Sequence, residues 1–139
     1  MAPCRREKGC RVDNGADLSG LRILIVEDEF LLAMELEMLL QQRGCMVLGP
    51  VSSVDHALAM LDGDPPDVAL LDVNLKGKRA TPVAAALQAR GVPFVLITGY
   101  SGPQLSEPEL HEAPRVDKPV NCRALKRAVA TALADTPRR

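Results

Sequence analysis

Residues 21–29 read LRILIVEDE, and this stretch decides the fold. Ile23-Leu24-Ile25-Val26 is apolar at every position and β-branched at three of four. A strand apolar on both faces belongs between two layers, as in a parallel sheet covered by helices. It stops abruptly at Glu27-Asp28-Glu29. Leu32, Leu36, Leu39 and Leu40 follow at i, i+4, i+7 and i+8, a helical stripe ended by Gly44.

The same unit repeats along the chain. Met46-Val47-Leu48 is a second, weaker strand. Ser53 is positioned to cap a helix carrying Val54, Ala57, Leu58 and Leu61, stopped by Gly63 and Pro65-Pro66. Val68-Ala69-Leu70-Leu71 is a third strand. Thr81-Pro82 reads as the N-cap and first position of an Ala-rich helix that runs to Arg90 and stops at Gly91. Phe94-Val95-Leu96-Ile97 is a fourth strand, and Arg115-Val116 a poor fifth. Asn121 caps a last helix with Leu125, Val129, Ala132 and Leu133 on one face. Strands alternating with helices predict an α/β fold, a doubly wound five-stranded parallel sheet with helices on both faces. One connection departs from the pattern. GYSGPQLSEPELHEAPRVD (99–117) holds three prolines, so a fourth helix there is expected to be short or irregular.

Length and composition fit one domain. The chain has 139 residues, 47% hydrophobic and 25% charged, enough to bury a core without staples. Residues 1–20 carry few large apolar groups and read as a flexible leader, 21–135 as the domain, and 136–139 as a tail. Seventeen basic against eighteen acidic side chains argue against a nucleic-acid binder, and no Trp with one Tyr argues against base stacking. No stretch approaches the roughly 18 apolar residues of a membrane span, and the N-terminus lacks the apolar core of a secretory signal. A cytoplasmic location is expected. Of the four cysteines, Cys4 and Cys10 do not have zinc-site spacing, and Cys45 and Cys122 read as buried free thiols.

The functional signal is where the polar residues fall. The first strand ends in Glu27-Asp28-Glu29, the third in Asp72, the fourth in Thr98 and the fifth in Lys118-Pro119. In an open parallel sheet the carboxyl ends share one edge, where ligands bind. Carboxylates, a hydroxyl and an ammonium therefore converge on one crevice. Taken singly, each has a plainer explanation: acids favour a helix N-terminus, an Asp suits an Asx turn, and a strand-end Thr or a Lys before Pro needs no ligand. Together they form a chemical set. Clustered carboxylates repel one another without a cation, and hard oxygen ligands suit Mg²⁺. An Asp beside such a metal is a nucleophile toward phosphorus, giving an aspartyl phosphate, with a Lys balancing the charge.

The motifs ILIVEDE, LLDVNLKG, VLITGY and VDKPV, in this order and spacing over residues 21–135, resemble the receiver domains of two-component response regulators. The resemblance implies a flavodoxin-like sheet of order 2-1-3-4-5 and Mg²⁺-dependent phosphoryl transfer from a sensor histidine kinase or histidine phosphotransfer protein. By matching positions, Asp72 is the phosphoacceptor. Asp28 and Asp72 ligate the metal directly, Glu27 through water, and Asn74 through its backbone carbonyl. Thr98 and Lys118 bind the phosphoryl group, and the Lys118–Pro119 bond is cis. Thr98-Gly99-Tyr100 also resembles the FATGUY subgroup, but Leu96-Ile97 replace its Phe-Ala. Arg115 stands where many receivers carry a switch aromatic.

Twenty residues follow Pro119, room for one helix. The expectation is a receiver acting alone, a monomer or weak dimer, signalling to a downstream protein by contact or draining phosphate from a shared kinase. It is a phosphoacceptor rather than a turnover enzyme, with no nucleic acid or membrane as partner. Two alternatives stand beside it. A non-phosphorylated pseudo-receiver would be an interaction module, although Glu27, Asp28, Asp72, Thr98 and Lys118 are all present. An aspartyl-phosphate phosphatase needs a general acid two residues after its nucleophile, where this chain has Asn74, which cannot transfer the proton.

Overall fold

The computed structural model describes residues 18–63, 65–75, 78–98, 113–118 and 120–135. Its strands are β1 (Arg22–Val26), β2 (Met46–Val51), β3 (Val68–Asp72), β4 (Asn74–Leu75), β5 (Lys78–Arg79), β6 (Phe94–Thr98) and β7 (Arg115–Asp117). Its helices are α1 (Phe30–Gln42), α2 (Val54–Met60), α3 (Thr81–Ala89) and α4 (Cys122–Asp135).

The main sheet runs β2-β1-β3-β6-β7, with every neighbouring pair parallel. Counted along the chain, its five strands stand in the expected order 2-1-3-4-5. Alternation within each strand divides the core into two layers. Leu24, Val26, Ala69, Leu71 and Leu96 pack with Ala57 of α2 and with Val83 and Leu87 of α3. Ile23, Ile25, Leu70, Val95 and Ile97 pack with Leu36 and Leu40 of α1 and with Leu125 and Val129 of α4. The central strands β1, β3 and β6 are buried on both faces, which is why they read as unbroken apolar runs.

Two caps fall where the sequence puts them. Ser53 accepts a hydrogen bond from the His56 N–H at 3.1 Å, and Asn121 Oδ1 accepts from the Ala124 N–H at 2.8 Å. A third shifts by one residue. Thr81 is the first helical residue of α3, not its cap, and Ala80 occupies the cap. The reason is the small antiparallel hairpin β4–β5, which pairs Asn74 with Arg79. The Ala80 N–H donates to the Val73 carbonyl at 2.9 Å and closes this hairpin, so the loop ends one residue early.

β2 is longer than its apolar triplet. It continues through Gly49 and Pro50, joined by a cis bond, to Val51. Between the pairs Leu24–Leu48 and Val26–Val51, two residues of β2 (49 and 50) oppose one of β1 (25), a bulge. The fold also reaches back before residue 21. Leu18 is buried in the α1–α4 layer, and the Gly20 N–H donates to the Gly44 carbonyl at 2.9 Å. Cys45 is a buried free thiol, as expected, and its Sγ donates to the Leu18 carbonyl at 3.3 Å. Cys122, expected to be a free thiol, is instead disulfide-bonded. The expected irregularity of 99–112, the Tyr100 position and the Lys118–Pro119 bond also lie outside the described residues. No described helix is long and apolar enough to cross a membrane.

Candidate functional site

The site is assembled at the carboxyl ends of the central strands. β1 delivers Glu27 and Asp28, and the Glu27 N–H is fixed to the Val51 carbonyl of β2 at 2.9 Å. β3 ends at Asp72, level with Ile97 of β6. Thr98 ends β6 opposite Asp117 of β7, and the Lys118 N–H donates to the Thr98 carbonyl at 2.9 Å. Strand register therefore brings together residues as far apart in the chain as 27 and 118.

Carboxylate oxygens of Glu27, Asp28 and Asp72 lie within 4.8 Å of one another. Glu27 and Asp72 are buried, at 2% and 5% exposure, as is Thr98 at 5%. Three acids this close, two of them out of water, are a costly arrangement that a cation relieves. The Lys118 ammonium reaches the group. Its Nζ lies 3.7 Å from Glu27 Oε2, 3.9 Å from Asp72 Oδ2 and 3.0 Å from Glu29 Oε1.

Electrostatics record the strain. Burial pushes the Glu27 carboxyl above its ordinary range, only partly offset by the Glu29 N–H, by Asp72 and by Lys118. A carboxyl raised in the folded state favours folding below its unfolded pKa and loses that contribution as pH rises through the folded value. Glu27 thus opposes the fold once it ionises. For Lys118, burial pulls the ammonium down, but the Glu29 hydrogen bond and the charges of Asp72 and Glu27 outweigh it, and its pKa is raised.

A hard divalent cation fits this donor set. Among the described residues, Glu27 Oε1 is buried with no hydrogen-bond partner, an oxygen already stripped of water that a cation would satisfy. Oxygen donors in this number match Mg²⁺ or Ca²⁺ chemistry rather than that of a thiolate-seeking metal.

The structure thus brings Glu27, Asp28, Asp72 and Lys118 into one cluster and ends the adjoining strand in Thr98. Asn74 opens β4 two residues past Asp72. Glu29 is the residue that sequence reasoning left out of the site. The sequence places it among the three acids that end β1 and open α1, without a role of its own. It is the N-cap residue of α1, yet its side chain makes no cap hydrogen bond and pairs with Lys118 instead. The only sequence signal was the third acid in Glu27-Asp28-Glu29.

Comparisons with known proteins agree with this geometry. Residues 23–130 match the family model described as the response regulator receiver domain. The solution structure of SdrG from Sphingomonas melonis Fr1 is similar, with 42% identity and TM-score 0.68 over 83% of this chain and 94% of that one. The signal receiver domain of a modulated diguanylate cyclase from Desulfovibrio desulfuricans G20 shares 28% identity, with TM-score 0.75 over 84% of this chain and 96% of that one. The response regulator PhyR from Brucella abortus shares 28% identity, with TM-score 0.72 over 86% of this chain. The chain spans about half the length of that protein, 50%. No curated protein sequence matches significantly.

Proposed function

The chain belongs to the response regulator receiver domain family, and from that premise we propose that Asp72 is its phosphoacceptor in two-component signalling. The observation that carries this is the cluster itself: three carboxylates within 4.8 Å, with the Lys118 ammonium 3.9 Å from Asp72. An Asp72 oxygen attacks the phosphorus of a phosphohistidine on a sensor kinase or phosphotransfer protein. The new P–O bond forms as the P–N bond breaks, and the imidazole leaves, taking a proton from solvent. Glu27, Asp28 and Asp72, with the Asn74 carbonyl, would hold Mg²⁺, which when bound supplies charge neutralisation for the phosphoryl oxygens. Lys118 supplies a second positive charge on the same oxygens, and the Thr98 hydroxyl donates a hydrogen bond to one of them. The phosphorylated receiver then signals by protein contact or drains phosphoryl groups from the donor.

The test is incubation with acetyl phosphate or phosphoramidate plus Mg²⁺, read by intact mass. The wild-type chain gains one phosphate. Asp72→Asn gains none, because an amide is a poor nucleophile and a poorer metal ligand. Label that persists in Asp72→Asn, or survives a chelator, contradicts the assignment.

A further inference from the structure

Lys118 has three carboxylates around it, and its shortest contact is not with the proposed phosphoacceptor. Its Nζ stands 3.0 Å from Glu29 Oε1, against 3.7 Å to Glu27 and 3.9 Å to Asp72. Only the Glu29 contact is at hydrogen-bond length. Glu29 is held in place for it. Its N–H donates to Glu27 Oε2 at 3.0 Å, and its carbonyl accepts from the Ala33 N–H at 2.9 Å. Lys118 is fixed from the other side by its own N–H on the Thr98 carbonyl. The two backbones are therefore pinned, and the Lys118–Glu29 side-chain pair bridges the loop after β1 and the loop after β7.

We propose that Glu29 is a positioning residue for Lys118, holding its ammonium in a resting place to one side of Asp72 and so limiting how readily the site accepts and keeps a phosphoryl group. This rests on the phosphoacceptor reading above. A phosphoryl group on Asp72 adds negative charge within reach of Lys118, and the ammonium then exchanges Glu29 for phosphoryl oxygens. Exposure decides how hard that exchange is. The Glu29 side chain is 61% exposed and the Lys118 side chain 22% exposed. Released Glu29 returns to water at once, so the pair is a weak detent and not a lock. Exposed pairs of this kind shift an equilibrium by about 1.5- to 5-fold.

The test is a double-mutant cycle of Glu29→Gln and Lys118→Ala in the full chain at saturating Mg²⁺. It has two readouts: the rate of labelling by phosphoramidate, and the affinity for beryllofluoride, a phosphoryl mimic, by fluorine NMR. Glu29→Gln is expected to bind the mimic about 1.5- to 5-fold more tightly and to label faster by a similar factor. Glu29→Asp, one methylene short of the contact, should behave like Glu29→Gln although it keeps the charge. In the Lys118→Ala background, Glu29→Gln should change neither readout. An equal effect in that background overturns the inference, since Glu29 would then act through the metal or the general field. So does no effect, or a weaker affinity, in the single variant. A wild-type chain that takes up neither phosphate nor mimic overturns the phosphoacceptor reading and this inference with it. A labelled wild type with an unchanged Glu29→Gln overturns the inference alone.

Discussion

Thr98 and Lys118 end adjacent strands and are tied to each other by one backbone hydrogen bond, yet their side chains have different work. Lys118 brings a full charge to Asp72, whereas Thr98 brings a single hydroxyl at 5% exposure. Losing the charge leaves the phosphoryl oxygens with the metal but without their second positive partner, so Lys118→Ala should slow labelling by at least tenfold, the scale of one lost charge-assisted contact. Thr98→Ala should still label at a measurable rate, but its amide shift changes on adding beryllofluoride should shrink around β6 and β7. Equal and complete loss of labelling in both variants would contradict the division. At this scale the sequence was legible where a polar residue interrupts an apolar run, as at Asp72 and Thr98. It gave Glu29 no role of its own, because three consecutive acids at a helix start look alike until the fold shows which one lies closest to an ammonium.

The elements that carry the site depend on one unexpected turn of backbone. Gly49 sits at φ +89° in the bulge of β2, and a Cβ there would meet the Val51 N at 2.8 Å and the Ile25 carbonyl at 3.0 Å. Both neighbours are backbone and cannot give way. Val51 is also the residue whose carbonyl holds the Glu27 N–H. Gly49→Ala should therefore cost about 1–3 kcal/mol, the range for a residue forced into a sparsely populated backbone conformation. It should also weaken Mg²⁺ binding, because the end of β1 loses its anchor. Thermal unfolding with and without Mg²⁺ measures both, and an unchanged midpoint would show that β2 repacks freely. Apolar patterning could not disclose this bulge: Met46-Val47-Leu48 predicts a strand, but nothing in Gly49-Pro50 predicts that pairing resumes beyond them at Val51. The same limit hid the β4–β5 hairpin, two residues per strand, and the seating of Leu18, a lone leucine in a polar leader.

At the scale of the whole molecule, the two-layered core follows from alternation. Ile23 and Ile25 face one helical layer, Leu24 and Val26 the other, and three such strands side by side leave only their ends free to be polar. That is why the two-layered parallel sheet and the convergence of Glu27, Asp28, Asp72 and Lys118 were readable in the residues, while strand order came only through the family resemblance and the distances that rank Lys118's partners were not readable at all. The layout also sets function against stability. The fold gathers three carboxylates at one edge, buries Glu27 with an oxygen that has no hydrogen-bond partner among the described residues, and pushes that carboxyl above its ordinary range. Removing one charge from the cluster should relieve the repulsion. Asp72→Asn is accordingly expected to stabilise the metal-free protein by about 1 kcal/mol, a rise of roughly 2–8 °C in Tm for a domain of this size. Mg²⁺ should stabilise the wild type, by about 2.7 kcal/mol at a hundred times its Kd, and a chelator should reverse the gain. In Asp72→Asn that gain should largely vanish. Calorimetric scans of both proteins in Mg²⁺ and in chelator give all four values. If the variant melts below the wild type without metal, or gains as much from Mg²⁺, the acids are not a strained cation site, and the phosphoryl chemistry loses its physical basis.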